Sequence, residues 1–330
     1  MTNAIAVFLF VGVICYTVLG GADFGAGFWD LTAGGARRGH RPREVIDHSI
    51  GPIWEANHTW LIYILVMLWS GFPTAFYAIM TTLWIPFLLA GLGIVLRGTG
   101  FAFRKSSLRT PQRRVYGVAF AFSSVVSPFF FGTIAGALAS GRVPTQGYGD
   151  PIDSWTGATS VFGGVLAVLV CAYLAAVFLV VSARGRGEPA VGQYFRVRAV
   201  GMAVVAGLAS LIGIPIVRSD SPRLFDQLTG TALPLLIVAV LAGLVTLLLL
   251  GAGRTMRWVR ELAALAVAAS IAAWGVAQYP YLLGTHLRIA DAASPTATLW
   301  VLVVVACLAG AVIVPSLVLM YTLYERGALE

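Results

Sequence analysis

The sequence predicts an all-α integral membrane protein with nine transmembrane helices. Of its 330 residues, 58% are hydrophobic and 11% are charged, where a soluble domain carries about 25% charged residues. Mean hydropathy is +0.86. Apolar runs of spanning length fall at 4–31, 50–70, 75–97, 115–138, 158–182, 197–217, 232–252, 259–281 and 299–323, each long enough to cross a hydrocarbon layer of about 30 Å. The basic residues supply an independent check. Arg37, Arg38, Arg41 and Arg43 follow the first run, and Arg97, Arg104, Lys105, Arg109, Arg113 and Arg114 the third. Arg184, Arg186, Arg196 and Arg198 follow the fifth, Arg254, Arg257 and Arg260 the seventh, and Arg326 the ninth. That places 18 of the 22 basic residues in alternate loops, leaving Arg142, Arg218, Arg223 and Arg288 for the others. The positive-inside rule then sets the N-terminus outside and the C-terminus in the cytoplasm. A wrong helix count would scramble this alternation.

The same distribution excludes other classes. A net charge of +8 spread over short loops reports topology, not a nucleic-acid-binding face. Cys15, Cys171 and Cys307 lie in three different apolar segments without a C-x-x-C pair, so neither a disulfide framework nor a zinc site is indicated. The first run lacks a basic leader and an A-x-A-like cleavage site, and reads as a retained helix.

Taken in order, the first helix ends in G-G-A-D-F-G-A-G-F-W-D-L. Gly21, Gly25 and Gly27 form a small-residue face that admits another helix backbone. Asp23 lies among them, about two turns from the cytoplasmic end, and Asp30 falls nearer the interface, within reach of water. The second run opens with S-I-G-P-I-W-E-A-N-H-T-W-L-I, Ser49 to Ile62. It holds Glu55, Asn57 and His58 between Trp54 and Trp60, with Pro52 in its first turns. Glu55 is expected at the depth of Asp23, and His58, three residues on, shares its face. Pro86 predicts a kink in the third helix. The segment R-G-T-G-F-A-F-R, Arg97 to Arg104, reads as a short basic, aromatic loop at the headgroup level. Gly141 to Asp153 is a turn-rich external linker. Tyr279-Pro280-Tyr281 is an aromatic anchor at the interface, and Ser294 or Thr296 is placed to cap the ninth helix.

An ionisable group inside a membrane is a candidate functional site because burying its charge is costly. Asp23 and Glu55, with Asn57 and His58 as hydrogen-bonding neighbours, suit a short proton relay opening to the cytoplasm. The competing reading has both carboxylates bonding neighbouring helices and His58 simply packed. Trp54 and Trp60 read as packing residues, and the loop arginines as topology determinants and headgroup partners. Of His40, His48, His58 and His286, His58 alone lies at membrane depth. The chain is therefore not expected to hold a bis-histidine haem by itself, nor an iron–sulfur cluster or other metal.

At these residues the chain resembles subunit II of the cytochrome bd-type quinol oxidases. G-A-D-F-G-A-G (Gly21 to Gly27) is similar to the family's G-x-D-x-G-x-G. I-G-P-I-W-E-A-N-H-T-W-L (Ile50 to Leu61) is similar to I-x-P-x-W-[DE]-x-N-x-x-W-L. R-x-x-G-F-x-F-R spans Arg97, Gly100, Phe101 and Arg104. A fourth block runs from Tyr279 through Asp291 and Leu299 to Pro315 and Tyr321. The resemblance implies two four-helix bundles, 1–140 and 158–281, joined by an external linker at 141–157. An external loop, a peripheral ninth helix and a cytoplasmic tail follow at 282–330. It implies a heterodimer with a subunit I that carries two b-type haems, one d-type haem and the quinol-oxidising loop. It further implies small single-helix accessory subunits or a structural quinone in some members. The activity implied is reduction of oxygen to water by quinol, in a bacterial cell membrane, with Glu55 on a proton path and Asp23 in support. Several members carry Asp, Gly and Gln where this chain has Glu55, Ala56 and His58. Glu lengthens the carboxylate arm by one methylene. A proton-coupled secondary transporter is the alternative from another class, although the polar residues of the first two helices have no counterpart in the second half. A purely structural scaffold subunit is a third reading.

Overall fold

The computed structural model describes residues 1–35, 38–50, 54–106, 110–253 and 258–325. The side chains of residues 50, 54, 55, 104–106, 110, 111, 113, 114, 321, 324 and 325 are outside that description. The fold is all-helical apart from one small hairpin. In chain order the helices are α1 (Thr2–Cys15), a π-helical turn (Tyr16–Gly20), α2 (Gly21–Thr32), α3 (His40–Ile50), α4 (Trp54–Gly71), α5 (Pro73–Thr82), α6 (Trp84–Ser106) and α7 (Thr110–Ala139). There follow α8 (Asp153–Thr156), α9 (Ala158–Gly185), α10 (Pro189–Asp220), α11 (Pro222–Thr229), α12 (Leu233–Gly251) and α13 (Val259–Gln278). The antiparallel pair β1 (Tyr281–Leu283) and β2 (Leu287–Arg288) leads into α14 (Ile289–Ala292) and α15 (Thr296–Glu325).

Among the described residues, eight helices are long and apolar enough to cross a membrane, and a bent pair makes a ninth if it counts as one span. That pair is Ala56–Gly71 with Pro73–Thr82, bent by 119°. The third run thus departs from its expected bounds of 75–97. Pro73 starts a new helix and excludes Phe72 from helical backbone (φ −138°, ψ 62°). The next helix begins at Trp84, so Pro86 lies in a first turn instead of kinking a helix. Ser294 secures the break: its N–H donates to the Gly71 carbonyl at 2.9 Å and its hydroxyl to the Ser70 carbonyl at 2.7 Å. It satisfies carbonyls at the end of α4, a use that the capping role expected of Ser294 or Thr296 did not foresee.

Two further expectations are corrected at the loops. Residues 40–50 form a helix, α3, that buries Val45 and Ile46. The segment Arg97 to Arg104 is not a loop, because α6 continues through it to Ser106. With no proline to stop it, the helix runs on, and Gly100 lets it lie against α7. A Cβ at Gly100 would stand 2.8 Å from the Tyr116 carbonyl oxygen and 2.9 Å from the Phe120 nitrogen.

Packing centres on α9, which lies against α2, α7 and α10. One core cluster joins Ala22 and Trp29 of α2 and Phe120 of α7 to Leu174, Val177 and Phe195 of the second half. The Trp29 indole N–H donates to the Ala172 carbonyl at 2.8 Å. A second cluster gathers Ile5, Leu9, Phe72, Leu83, Leu283 and Leu299 around the broken span. α15 is peripheral, touching α1 and α4 while Trp300, Val304, Leu308 and Val312 face outward. Such exposed apolar faces suit a hydrocarbon solvent.

The four arginines outside the basic loops each have a local use. Arg142 pairs with Asp220, which also accepts from the Thr159 N–H at 3.0 Å, at the start of α9. Arg223 donates to the Gly284 carbonyl at 2.6 Å and lies 4.4 Å over the Tyr281 ring. Arg288 lies 5.8 Å from the same ring, and Arg218 5.7 Å from that of Phe225. In the linker, the N–H groups of Asp153 and Ile152 donate to Asp150 and hold its carboxyl below the usual range.

Candidate functional site

The small-residue face of α2 behaves as its composition predicts. A Cβ at Gly25 would overlap the Cys171 carbonyl of α9, and one at Gly27 would overlap Ser124 of α7. Gly21 faces Cys171 more loosely, at 3.4 Å from its sulfur. This close approach carries Asp23 into the interior, where it meets a partner from α6. Arg97 donates through one terminal nitrogen to Asp23 Oδ2 at 2.8 Å and through the other to Oδ1 at 2.7 Å. The second nitrogen also reaches the Asp23 carbonyl at 3.0 Å, and Nε donates to the Ser124 hydroxyl at 3.0 Å. Ser124 in turn donates to the Phe120 carbonyl at 2.7 Å. The guanidinium is flanked by the rings of Phe24 and Phe120, at 5.1 and 5.0 Å. Arg97 is 1% exposed and Asp23 6%.

This is a two-pronged, charge-assisted pair whose remaining donors are also engaged. Removing one partner of a buried pair strands the other charge at a cost of about 3–5 kcal/mol. Reading Arg97 as a loop residue missed it. The available signal was the R-x-x-G-F spacing, which sets Arg97, Gly100 and Phe101 on adjoining positions of one helical surface. Phe101 meets Phe120 at 5.8 Å between ring centres.

Asp30 is likewise more enclosed than expected. It is 4% exposed and accepts from Arg43 Nε at 2.9 Å, while Arg43 also bonds the Gly34 carbonyl at 2.6 Å. Arg43 therefore closes the end of α2 as well as contributing charge to its loop.

From α4, His58 comes within electrostatic reach of Asp23 and Arg97. Its ring forms a three-ring cluster with those of Tyr16 and Phe24, at 6.3 and 6.0 Å between centres. Asn57 is 3% exposed and donates its amide to the Leu19 carbonyl at 3.3 Å, inside the π-helical turn. Trp60 packs edge-on to Tyr63 at 6.1 Å. The structure thus gathers Asp23, Arg97, Ser124 and His58, with Asn57 bracing the neighbouring turn. The side chains of Trp54, Glu55 and Arg104 lie outside the described residues, as does Pro52.

Two concavities flank this region. Arg41, Glu44, Asp47, His48, Arg186 and Glu188 line a charged pocket of about 530 Å³ beside α3. Leu61, Leu65, Trp84, Leu88 and Leu92 help line an apolar groove of about 540 Å³ on the outer face of α4 and α6. Among the described residues, no three His, Cys, Asp or Glu side chains are grouped to hold a metal ion.

Fold and site together define a multi-pass helical membrane protein built around a buried carboxylate–guanidinium pair. The sequence profile of cytochrome bd terminal oxidase subunit II matches residues 1–324, and the chain belongs to that family. It is similar to cytochrome bd ubiquinol oxidase subunit 2 of Bacillus subtilis, 28% identical over 173 residues, covering 49% of this chain and 47% of that one. It is also similar to cytochrome bd-I ubiquinol oxidase subunit 2 of Escherichia coli K12, 27% identical over 135 residues, covering 40% and 35%. The matched stretch spans less than half the length of each of these two relatives. The bd oxidase structure from Geobacillus thermodenitrificans shares the fold, with a TM-score of 0.82 at 24% identity over 98% of both chains. The secondary-transporter reading finds no support in this family or these relatives.

Proposed function

We propose that this chain is the haem-free second subunit of a quinol:oxygen oxidoreductase. In this reading it stabilises a haem-bearing subunit I and supplies that partner with protons from the cytoplasm. The observation that carries it is the family match along nearly the whole chain, with the buried Asp23–Arg97 pair beside His58 inside its matched blocks. The partner would hold two b-type haems and one d-type haem, which supply oxygen reduction when bound. This chain's contribution would be to collect, hold and pass protons.

Glu55 is the proposed proton carrier, at the start of α4 and one turn before His58. The charged pocket beside α3, whose chain leads toward α4, suits a collecting mouth. Asp23 supports the path in a different way from Glu55. With Arg97 on both carboxylate oxygens it is suited to setting the local field, and His58 lies within that field. Asn57 holds the π-helical turn against α4. The broken pair counts as one span in this reading. It gives nine spans, an outside N-terminus and a cytoplasmic C-terminus, in two four-helix bundles with α15 at the periphery. Quinol is the proposed reductant of the complex. By family likeness, the proposal extends to a structural quinone and single-helix accessory subunits.

Glu55→Gln tests the proton role in the purified complex. The expected result is lowered oxygen consumption with quinol while the haem spectrum persists. Unchanged turnover removes the relay role, and loss of all haem makes Glu55 an assembly residue.

A further inference from the structure

The π-helical turn Tyr16–Gly20 joins α1 to α2 just before the segment that holds Asp23, and such turns recur at functional sites. Its first residue, Tyr16, carries a hydroxyl that is fully buried and has no hydrogen-bond partner among the described residues. Leaving a buried hydroxyl unpaired forfeits its hydration without return, and native proteins meet such groups with protein atoms or ordered water. The surroundings are polar enough to hold a water. Tyr16 lies within electrostatic reach of Asp23, Arg97 and Cys171, and its ring is 6.3 Å from that of His58. Phe24, at 6.3 Å, and Phe131, at 5.8 Å, meet the same ring edge-on and fix its direction. A Cβ at Gly20 would press on it at 3.0 Å.

We infer that the Tyr16 hydroxyl, with an ordered water between it and the His58–Asp23–Arg97 cluster, is a further member of the proton path. The inference rests on the proton-path reading above. A phenol that both donates and accepts suits this place. It takes a proton on a free lone pair from that water and passes its own to a second water on the far side, which leaves the phenol neutral. No bond to carbon changes and no net charge stays on the ring. Nothing in the family blocks points to Tyr16, which lies before the G-A-D-F-G-A-G segment.

The test uses the assembled oxidase complex carrying Tyr16→Phe, beside wild type and Glu55→Gln. Haem spectrum, quinol KM, kcat and the solvent deuterium isotope effect on kcat are measured on each. Tyr16→Phe keeps the ring and its contacts. The expected result is full haem content, an unchanged KM, a larger isotope effect and a kcat lowered about tenfold, below the usual loss for a proton-transfer group because the water remains. An unchanged kcat overturns the inference. So does a lowered kcat with an unchanged isotope effect, or a loss of haem, since both describe a structural residue. If Glu55→Gln slows turnover and Tyr16→Phe does not, the path bypasses Tyr16 and the proton-path reading stands. If neither slows turnover, both fall.

Discussion

Arg97 stands where the sequence reading ends the third run, yet the helix continues past it, and among the described residues it is one of the most buried side chains. Its four donated bonds reach α2 and α7 from α6, so one side chain ties three helices. Replacing it by methionine keeps much of the volume but leaves the Asp23 carboxylate buried against Phe24 and Phe120. Arg97→Met is therefore expected to destabilise the subunit by about 3–5 kcal/mol, read as a lower melting temperature or lost yield of the complex in detergent. Pairing it with Asp23→Asn removes the stranded charge and is expected to recover part of that loss. If the double variant is no better than Arg97→Met, the ion pair is not the source of the defect. Glu55 and Tyr16 belong to the same scale, and their substitutions test the proposed proton path where Arg97→Met tests stability.

At the scale of elements, the contact between α2 and α9 depends on the absence of side chains. The added carbon of Gly25→Ala overlaps the Cys171 carbonyl, backbone that cannot swing aside. The helices must separate, and the Trp29–Ala172 hydrogen bond separates with them. The expected cost is about 1–3 kcal/mol, the usual range for overpacking. Gly91→Ala is the control, because nothing lies within 4 Å of its added carbon. A thermal melt of both variants is expected to show a clear loss for the first and little change for the second. Equal melting temperatures would mean that α2 and α9 do not meet as described. The break between α4 and α5 is an element-scale feature of another kind. Pro73 creates it, and Ser294, from a segment more than two hundred residues away, closes the carbonyls it opens.

At the scale of the whole molecule, the proposed orientation has the N-terminus outside and the C-terminus in the cytoplasm. Most basic residues cluster in sequence around alternate connections between the spans, many of them on the flanking helices, and the exceptions Arg142, Arg218, Arg223 and Arg288 are held by a carboxylate, a carbonyl or aromatic rings. Their positions serve folding of that face, which removes them as arguments against the positive-inside assignment. Orientation can be read directly with a membrane-impermeant thiol reagent applied to intact cells. Tyr148→Cys, at a position 76% exposed in the linker, is expected to react, and Gly35→Cys, before α3, is expected to react only after the membrane is opened. The reverse pattern would invert the topology. The native cysteines all lie within spans, out of the reagent's reach.

Membrane class, the apolar runs and the small-residue face of α2 were legible in the sequence, because hydropathy and glycine spacing are local properties. Asp23 and His58 were legible as candidates for the same reason: a polar group in an apolar run stands out. Family membership was legible from ordered blocks that need no geometry. What the tertiary structure decided is which groups meet. Asp23 and Arg97 are 74 residues apart, and no periodicity relates them. Arg43 against Asp30, Ser294 against the end of α4, and Tyr16 beside His58 are of the same kind. Helix ends also belonged to the structure, since α6 runs on past Arg97 with Gly100 set close against the backbone of α7. Composition decides that a segment enters the membrane, and packing decides where its buried charge finds a counter-charge.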